Sequence, residues 1–124
     1  MEFNQKTLIT LVGVSANPEK YGHKIFRDLL ASGYNVVGVN PKGGTILEQT
    51  IIPNLEEVSR PTELLLVVVP PEIGITVLTQ AKKIGIQNIW LQPGAESEEL
   101  IQFAQQNNLN LTYNKCFMVN QGIW

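Results

Sequence analysis

The residues best suited to chemistry in this chain of 124 residues are those of Gly13-Val-Ser-Ala-Asn17, followed by Lys20. Gly13, Ser15 and Ala16 present little side-chain bulk, so an anion can approach the backbone N–H groups of this stretch closely. A helical pattern starts at Lys20, with Ile25, Phe26, Leu29 and Leu30 on one stripe and Gly33 as its stop. A helix N-terminus gathers unpaired N–H groups and the positive end of the helix dipole. Together these predict a place for a phosphate. Ser15 adds a hydroxyl, and Lys20, Lys24 and Lys42 are cations within the same part of the sequence.

Other chemistry finds less support. His23 is the only histidine, so a Ser-His-Asp triad would have to form around it, and no carboxylate or nucleophile stands at a telling spacing. It is expected at the surface. One histidine and one cysteine, Cys116, are too few for a zinc site. No catalytic residue is expected.

A short apolar run, Leu8 to Val12, precedes the loop, the pattern of a strand buried on both faces. Asn35-Val-Val-Gly-Val39 is a second such strand, closed by Asn40-Pro41-Lys-Gly-Gly44. Thr45 to Ile52 predicts a minor edge strand, and Asn54 to Val58 a helical turn or two capped by Asn54. Glu63 to Val69 is the strongest strand signal and is ended by Pro70-Pro71.

Pro71 to Lys83 reads as a helix whose Ile73, Val77, Leu78, Ala81 and Ile84 face the sheet, with Gly85 as its stop. Asn88 to Leu91 is a strand ended by Gln92-Pro-Gly94, and a helix beginning at Glu96 or Ser97 runs through Gln106. Leu109 to Tyr113 supplies a fifth strand, and Asn114 to Trp124 is expected to be irregular with an apolar finish. This alternation predicts one α/β domain over residues 1–124, a doubly wound and mainly parallel five-stranded sheet with helices on both faces.

Composition sets the outer bounds. A hydrophobic share of 44% suffices for one core, and 9 Lys plus Arg against 11 Asp plus Glu, net charge -2, mark no nucleic-acid groove or anionic membrane surface. A lone cysteine excludes an internal disulfide and suits a reducing compartment. The opening Met1-Glu-Phe-Asn-Gln-Lys6 lacks the pattern of a signal peptide, and the longest apolar run, Leu64 to Val69, is too short to span a bilayer. These features predict a cytoplasmic location. The apolar stretch from Phe117 to Trp124 hints at a homodimer.

In doubly wound sheets ligands occupy the crevice beyond the carboxyl ends of the strands, where the winding reverses. If the first strand neighbours the Leu64 strand, the loops Gly13–Lys20, Asn40–Gly44 and Pro70–Gly74 meet there, with Gln92–Gly94 next along. The Pro70-Pro71 corner offers a flat apolar surface for an adenine ring. The G-x-G-x-x-G fingerprint is absent, since Gly13-Val-Ser-Ala-Asn-Pro18 keeps only its first glycine. The second strand ends in Asn40-Pro41 where an NAD-binding protein places a carboxylate, and the long phosphate-loop motif of NTPases is missing.

Taken in order, Gly13-Val-Ser-Ala-Asn-Pro-Glu-Lys20, Gly33 to Lys42, Leu66-Val-Val-Val-Pro-Pro71, Asn88-Ile-Trp-Leu-Gln-Pro-Gly94 and Asn114-Lys-Cys-Phe-Met118 resemble the small stand-alone CoA-binding proteins with a Rossmann-like fold. More distantly, the chain is similar to the CoA-binding domains of the succinyl-CoA synthetase alpha subunit and of ADP-forming acyl-CoA synthetases. It departs from many relatives at Tyr21-Gly22, where they carry Pro-Gly or Pro-Ser.

The resemblance implies non-covalent binding of coenzyme A or an acyl-CoA, without a catalytic centre in this chain. Gly13, Val14, Ser15, Ala16 and Asn17 would hold the pyrophosphate and its ribose, with Lys20 nearby. Lys42, after Asn40 and Pro41, would neutralise a phosphate. Val69, Pro70 and Pro71 would border the pantetheine or adenine, with Gln92 and Gly94 as the far wall. Cys116 is then either a small packing residue or a thiol able to form a mixed disulfide with the cofactor. The competing classes are a NAD(P)-dependent oxidoreductase, a detached subunit of an acyl-CoA ligase, and a scaffold whose glycine loop is only a turn.

Overall fold

The computed structural model describes residues 2–124. Leu8–Val12 forms β1, buried along its whole length because both faces of the sheet are covered. Helix α1 spans Tyr21–Ala31 and buries Ile25, Phe26 and Leu29. It is followed by β2, Asn35–Val39. The later main-sheet strands are β5, Leu64–Val67, β6, Asn88–Leu91, and β7, Asn110–Thr112. Helix α2, Pro71–Lys83, connects β5 to β6, and α3, Glu98–Gln106, connects β6 to β7.

The five main strands lie in the order β2-β1-β5-β6-β7, and every pairing is parallel. Leu11 pairs with Gly38 on one side and Leu66 on the other, so β1 is an interior strand and the winding reverses between β1 and β5. The fold is therefore the expected doubly wound, Rossmann-like α/β sheet. The first strand does neighbour the Leu64 strand, and that places three loops at one crevice.

Each face of the sheet has its own core. Ile9, Leu11, Leu64 and Leu66 pack with Ile25, Phe26 and Leu29 of α1 on one face. Val12, Leu65, Val67 and Ile89 pack with Val77, Leu78 and Leu100 of α2 and α3 on the other. Pro71 at the first position of α2 and the Ser97 hydroxyl accepting the Leu100 N–H at 3.2 Å set the starts of these two helices.

Three expectations need correction. Thr45 to Ile52 is a small antiparallel hairpin, β3 (Thr45–Ile46) and β4 (Gln49–Thr50), whose exit touches β2 through a single bridge between Val39 and Ile52. The tail is not wholly irregular: Phe117–Asn120 forms α4, and Phe117 and Met118 are fully buried beside Trp90 and Tyr34. Ile73 and Ile84 do not face the sheet; they are 53% and 43% exposed. Asn54 caps as expected, accepting the Glu56 N–H at 2.9 Å at the start of the 3-10 turn Leu55–Glu57.

Candidate functional site

The site begins where β1 ends. Gly13 has φ +112, which only glycine adopts without strain, and a Cβ there would press on Val68. A Cβ on Gly22, in the first turn of α1, would overlap the Gly13 carbonyl oxygen. The two glycines thus let the start of α1 sit directly against the end of β1. The role of Gly22 in this close approach is not apparent from its place in the sequence.

The loop between them is tied down by its own side chains. The Ser15 hydroxyl accepts the Asn17 N–H at 3.1 Å, and the Asn17 carboxamide oxygen accepts the Glu19 N–H at 3.0 Å. Asn40, at the end of β2, donates from Nδ2 to the Val14 carbonyl and accepts the Lys42 N–H at 2.8 Å. It therefore joins the first two loops. Val14 buries its side chain, leaving only backbone to a ligand. Lys20 is the N-cap of α1 but supplies no side-chain cap. Among the described residues, the N–H groups of Ser15, Ala16, Tyr21 and Gly22 have no hydrogen-bond partner. Free N–H groups at the start of a helix are the donors that a phosphate accepts from.

A mostly apolar cavity of about 290 Å³ is lined on one side by Val12, Gly13, Val39, Pro41 and Val69. Its opposite wall is Ile73, Thr76, Val77 and Gln80 of α2 together with Pro53 to Leu55. Ile73 and Val77 were expected to pack on the sheet; Ile73 instead lines this cavity at the mouth of the crevice. The three loops predicted to meet do so here. Lys20, Lys42 and Pro70, on the same three loops, are exposed, Pro71 is half-buried, and neither lysine is ion-paired among the described residues.

Gln92 and Gly94 behave differently. Gln92 is fully buried, so it is not a wall presented to a ligand. Its Oε1 accepts the Phe117 N–H at 2.7 Å, which turns Nε2 toward the Tyr21 hydroxyl at 3.0 Å and Cys116 Sγ at 3.6 Å. Gly94 is exposed with φ +97, and its N–H is taken by the Glu96 carboxylate at 2.9 Å.

Tyr21 and Cys116 form a small polar cluster over Gln92. The Tyr21 oxygen accepts from Gln92, and its hydroxyl shares a hydrogen bond with Cys116 Sγ, 3.6 Å away. Burial, followed by the Cys116 contact, pushes the Tyr21 pKa upward and keeps the phenol neutral. Burial opposes ionisation of the Cys116 thiol, but hydrogen bonds from Tyr21, Gln92 and the Met118 and Val119 backbone together hold its pKa below the ordinary thiol value. Trp124 packs against the Tyr21 ring in a tilted arrangement with centroids 5.8 Å apart and donates to Asp28 at 2.7 Å.

His23 corrects another expectation. It is not a surface residue but 7% exposed, with Nδ1 2.8 Å from the Ser15 carbonyl oxygen. Nothing in its spacing showed this, since the contact crosses from the helix back to the loop.

Comparison with known proteins bears on the fold and the family. A conserved hypothetical protein from Pyrococcus furiosus superimposes with a TM-score of 0.89 at 37% identity, covering 92% of this chain and 98% of that one. The uncharacterised protein YneT of Bacillus subtilis (strain 168) is 23% identical over 115 residues, 93% of this chain and 85% of its own length. A dinucleotide-forming acetyl-coenzyme A synthetase from Ca. Korarchaeum cryptofilum shares the fold, with a TM-score of 0.73 at 22% identity, over 85% of this chain and only 25% of the synthetase. The model of the CoA binding domain matches residues 7–122. The chain belongs to the CoA binding domain family.

Proposed function

We propose that this protein binds coenzyme A or an acyl-CoA non-covalently across the carboxyl edge of its sheet, and that it binds rather than transforms it. The observation that carries this reading is an apolar cavity, walled by Val39, Pro41, Val69 and Ile73, that reaches Gly13, the start of the loop on which the N–H groups of Ser15 and Ala16 are unpartnered. A flat base beside a pyrophosphate requires that pair of environments.

In this reading the adenine enters the cavity, while Gly13 to Asn17 and the start of α1 receive the pyrophosphate. Lys42 and Lys20 supply cations to the phosphates, with Asn40 holding the Lys42 loop. The pantetheine arm passes Pro70 and Pro71 and runs over Gly94 toward Tyr21 and Cys116. Gln92 supports that end from below. The absence of a carboxylate at the end of β2, where Asn40 and Lys42 stand, favours a phosphorylated ribose over the free hydroxyls of NAD. A cytoplasmic setting, where free coenzyme A and thiols coexist, belongs to the same proposal.

Thermal melting tests it. Ligands that bind only the native state raise the melting temperature with concentration. Coenzyme A is expected to do so, and 3′,5′-ADP, which retains the base and the ribose phosphate, more weakly. A melting temperature indifferent to both would overturn the reading.

A further inference from the structure

We infer that His23 and Asn40 are positioning residues that aim the Ser15 and Ala16 N–H groups at the bound anion; this rests on the reading of the loop as a phosphate site. The two side chains come from different elements, α1 and the end of β2, and grip successive carbonyls of the loop. Asn40 Nδ2 donates to the Val14 carbonyl, and His23 Nδ1 lies 2.8 Å from the Ser15 carbonyl. A carbonyl oxygen can only accept, so Nδ1 carries the proton.

The consequence follows from the peptide unit. The carbonyl of Val14 and the N–H of Ser15 belong to one peptide, as do the carbonyl of Ser15 and the N–H of Ala16. No described peptide bond is cis. In a trans unit the N–H points opposite to the carbonyl. Drawing both carbonyls toward the protein therefore turns both N–H groups away from it, and among the described residues neither N–H has a partner. A buried His23 and a half-buried Asn40 fix this orientation before any ligand arrives. Without them the loop peptides are free to turn, and their carbonyls would face the anion in part of the population.

The position of the donor on the ring makes a specific test possible. Asparagine places its amide nitrogen where Nδ1 of histidine stands, whereas glutamine places it where Nε2 stands. Backbone amide NMR of the full chain, titrated with inorganic pyrophosphate and with coenzyme A, is the readout. In the wild type and in His23→Asn, the Ser15 and Ala16 amides are expected to shift with similar affinity. In His23→Gln and His23→Ala the affinity is expected to fall about tenfold or more, the scale of a charge-assisted hydrogen bond.

Equal affinity in all four proteins would overturn the positioning role while leaving the site intact. Ser15 and Ala16 amides that stay still in the wild type with both ligands would overturn the site and the inference together. A measurement on the wild type guards against variants that fail to fold. Ring 15N shifts of His23 are expected to show a protonated Nδ1, and a bare Nδ1 would contradict the inference directly.

Discussion

The side-chain oxygen of Gln92 accepts the backbone N–H of Phe117 at 2.7 Å, where Gln92 is fully buried and Phe117 is the first residue of α4. One contact thus fastens the C-terminal segment to the end of β6 and orients the Gln92 amide toward Tyr21 and Cys116. Replacing Gln92 by leucine leaves a buried N–H without its acceptor, at an expected cost of about 1–3 kcal/mol. Urea denaturation followed by far-UV circular dichroism measures it. A variant as stable as the wild type would show that α4 docks by its apolar side chains alone.

Lys42 is exposed, and its loop is held by Asn40. If it meets a phosphate, Lys42→Ala weakens coenzyme A binding, and the difference between variant and wild type shrinks as salt is added, because exposed charge pairs are screened. Affinities measured at low and high ionic strength decide this. Unchanged affinity at low salt would remove Lys42 from the site.

Ile73 lines the apolar cavity from α2 while remaining 53% exposed, so a substitution there is tolerated by the core. Ile73→Glu places a carboxylate where the adenine is proposed to lie. Burying a charge against an apolar ring is unfavourable. Binding of 3′,5′-ADP is expected to weaken at least about tenfold, a change of ~1.4 kcal/mol. Retained affinity would move the base out of this cavity.

The elements that carry the sheet were legible because their signals are local. Leu8 to Val12 and Leu64 to Val67 are continuous apolar runs, and Pro71 and Ser97 mark helix starts in the sequence itself. The β3–β4 hairpin was not legible, since Leu47 and Glu48 turn at φ 51 and 64 where asparagine and glycine usually signal such a turn. Four residues of α4 are too few to show a period. The contacts that shape the site were hidden for another reason. His23 with Ser15, Asn40 with Val14 and Gln92 with Phe117 all join separate elements, and only the folded chain brings them together.

Cys116 has a lowered pKa despite its partial burial, through hydrogen bonds from Tyr21, Gln92 and the α4 backbone. Its alkylation by iodoacetamide is expected to rise with pH at a midpoint below that of the same cysteine in the unfolded chain. Tyr21→Phe removes one donor and is expected to move the midpoint up. Because the folded thiol ionises more readily than the unfolded one, the shift adds stability above the unfolded pKa. That contribution is lost as pH falls through the folded value. A midpoint at or above that of the unfolded chain would show that burial outweighs the donors.

The central claim is that the crevice receives a cofactor built as a nucleotide with a pantetheine arm. Isothermal titration of the wild type with coenzyme A, acetyl-CoA, NAD and NADP under identical conditions tests it most directly. The account predicts saturable heat with the two coenzyme A compounds and none with NAD or NADP. Heat with NAD or NADP alone, or with none of the four, would contradict it.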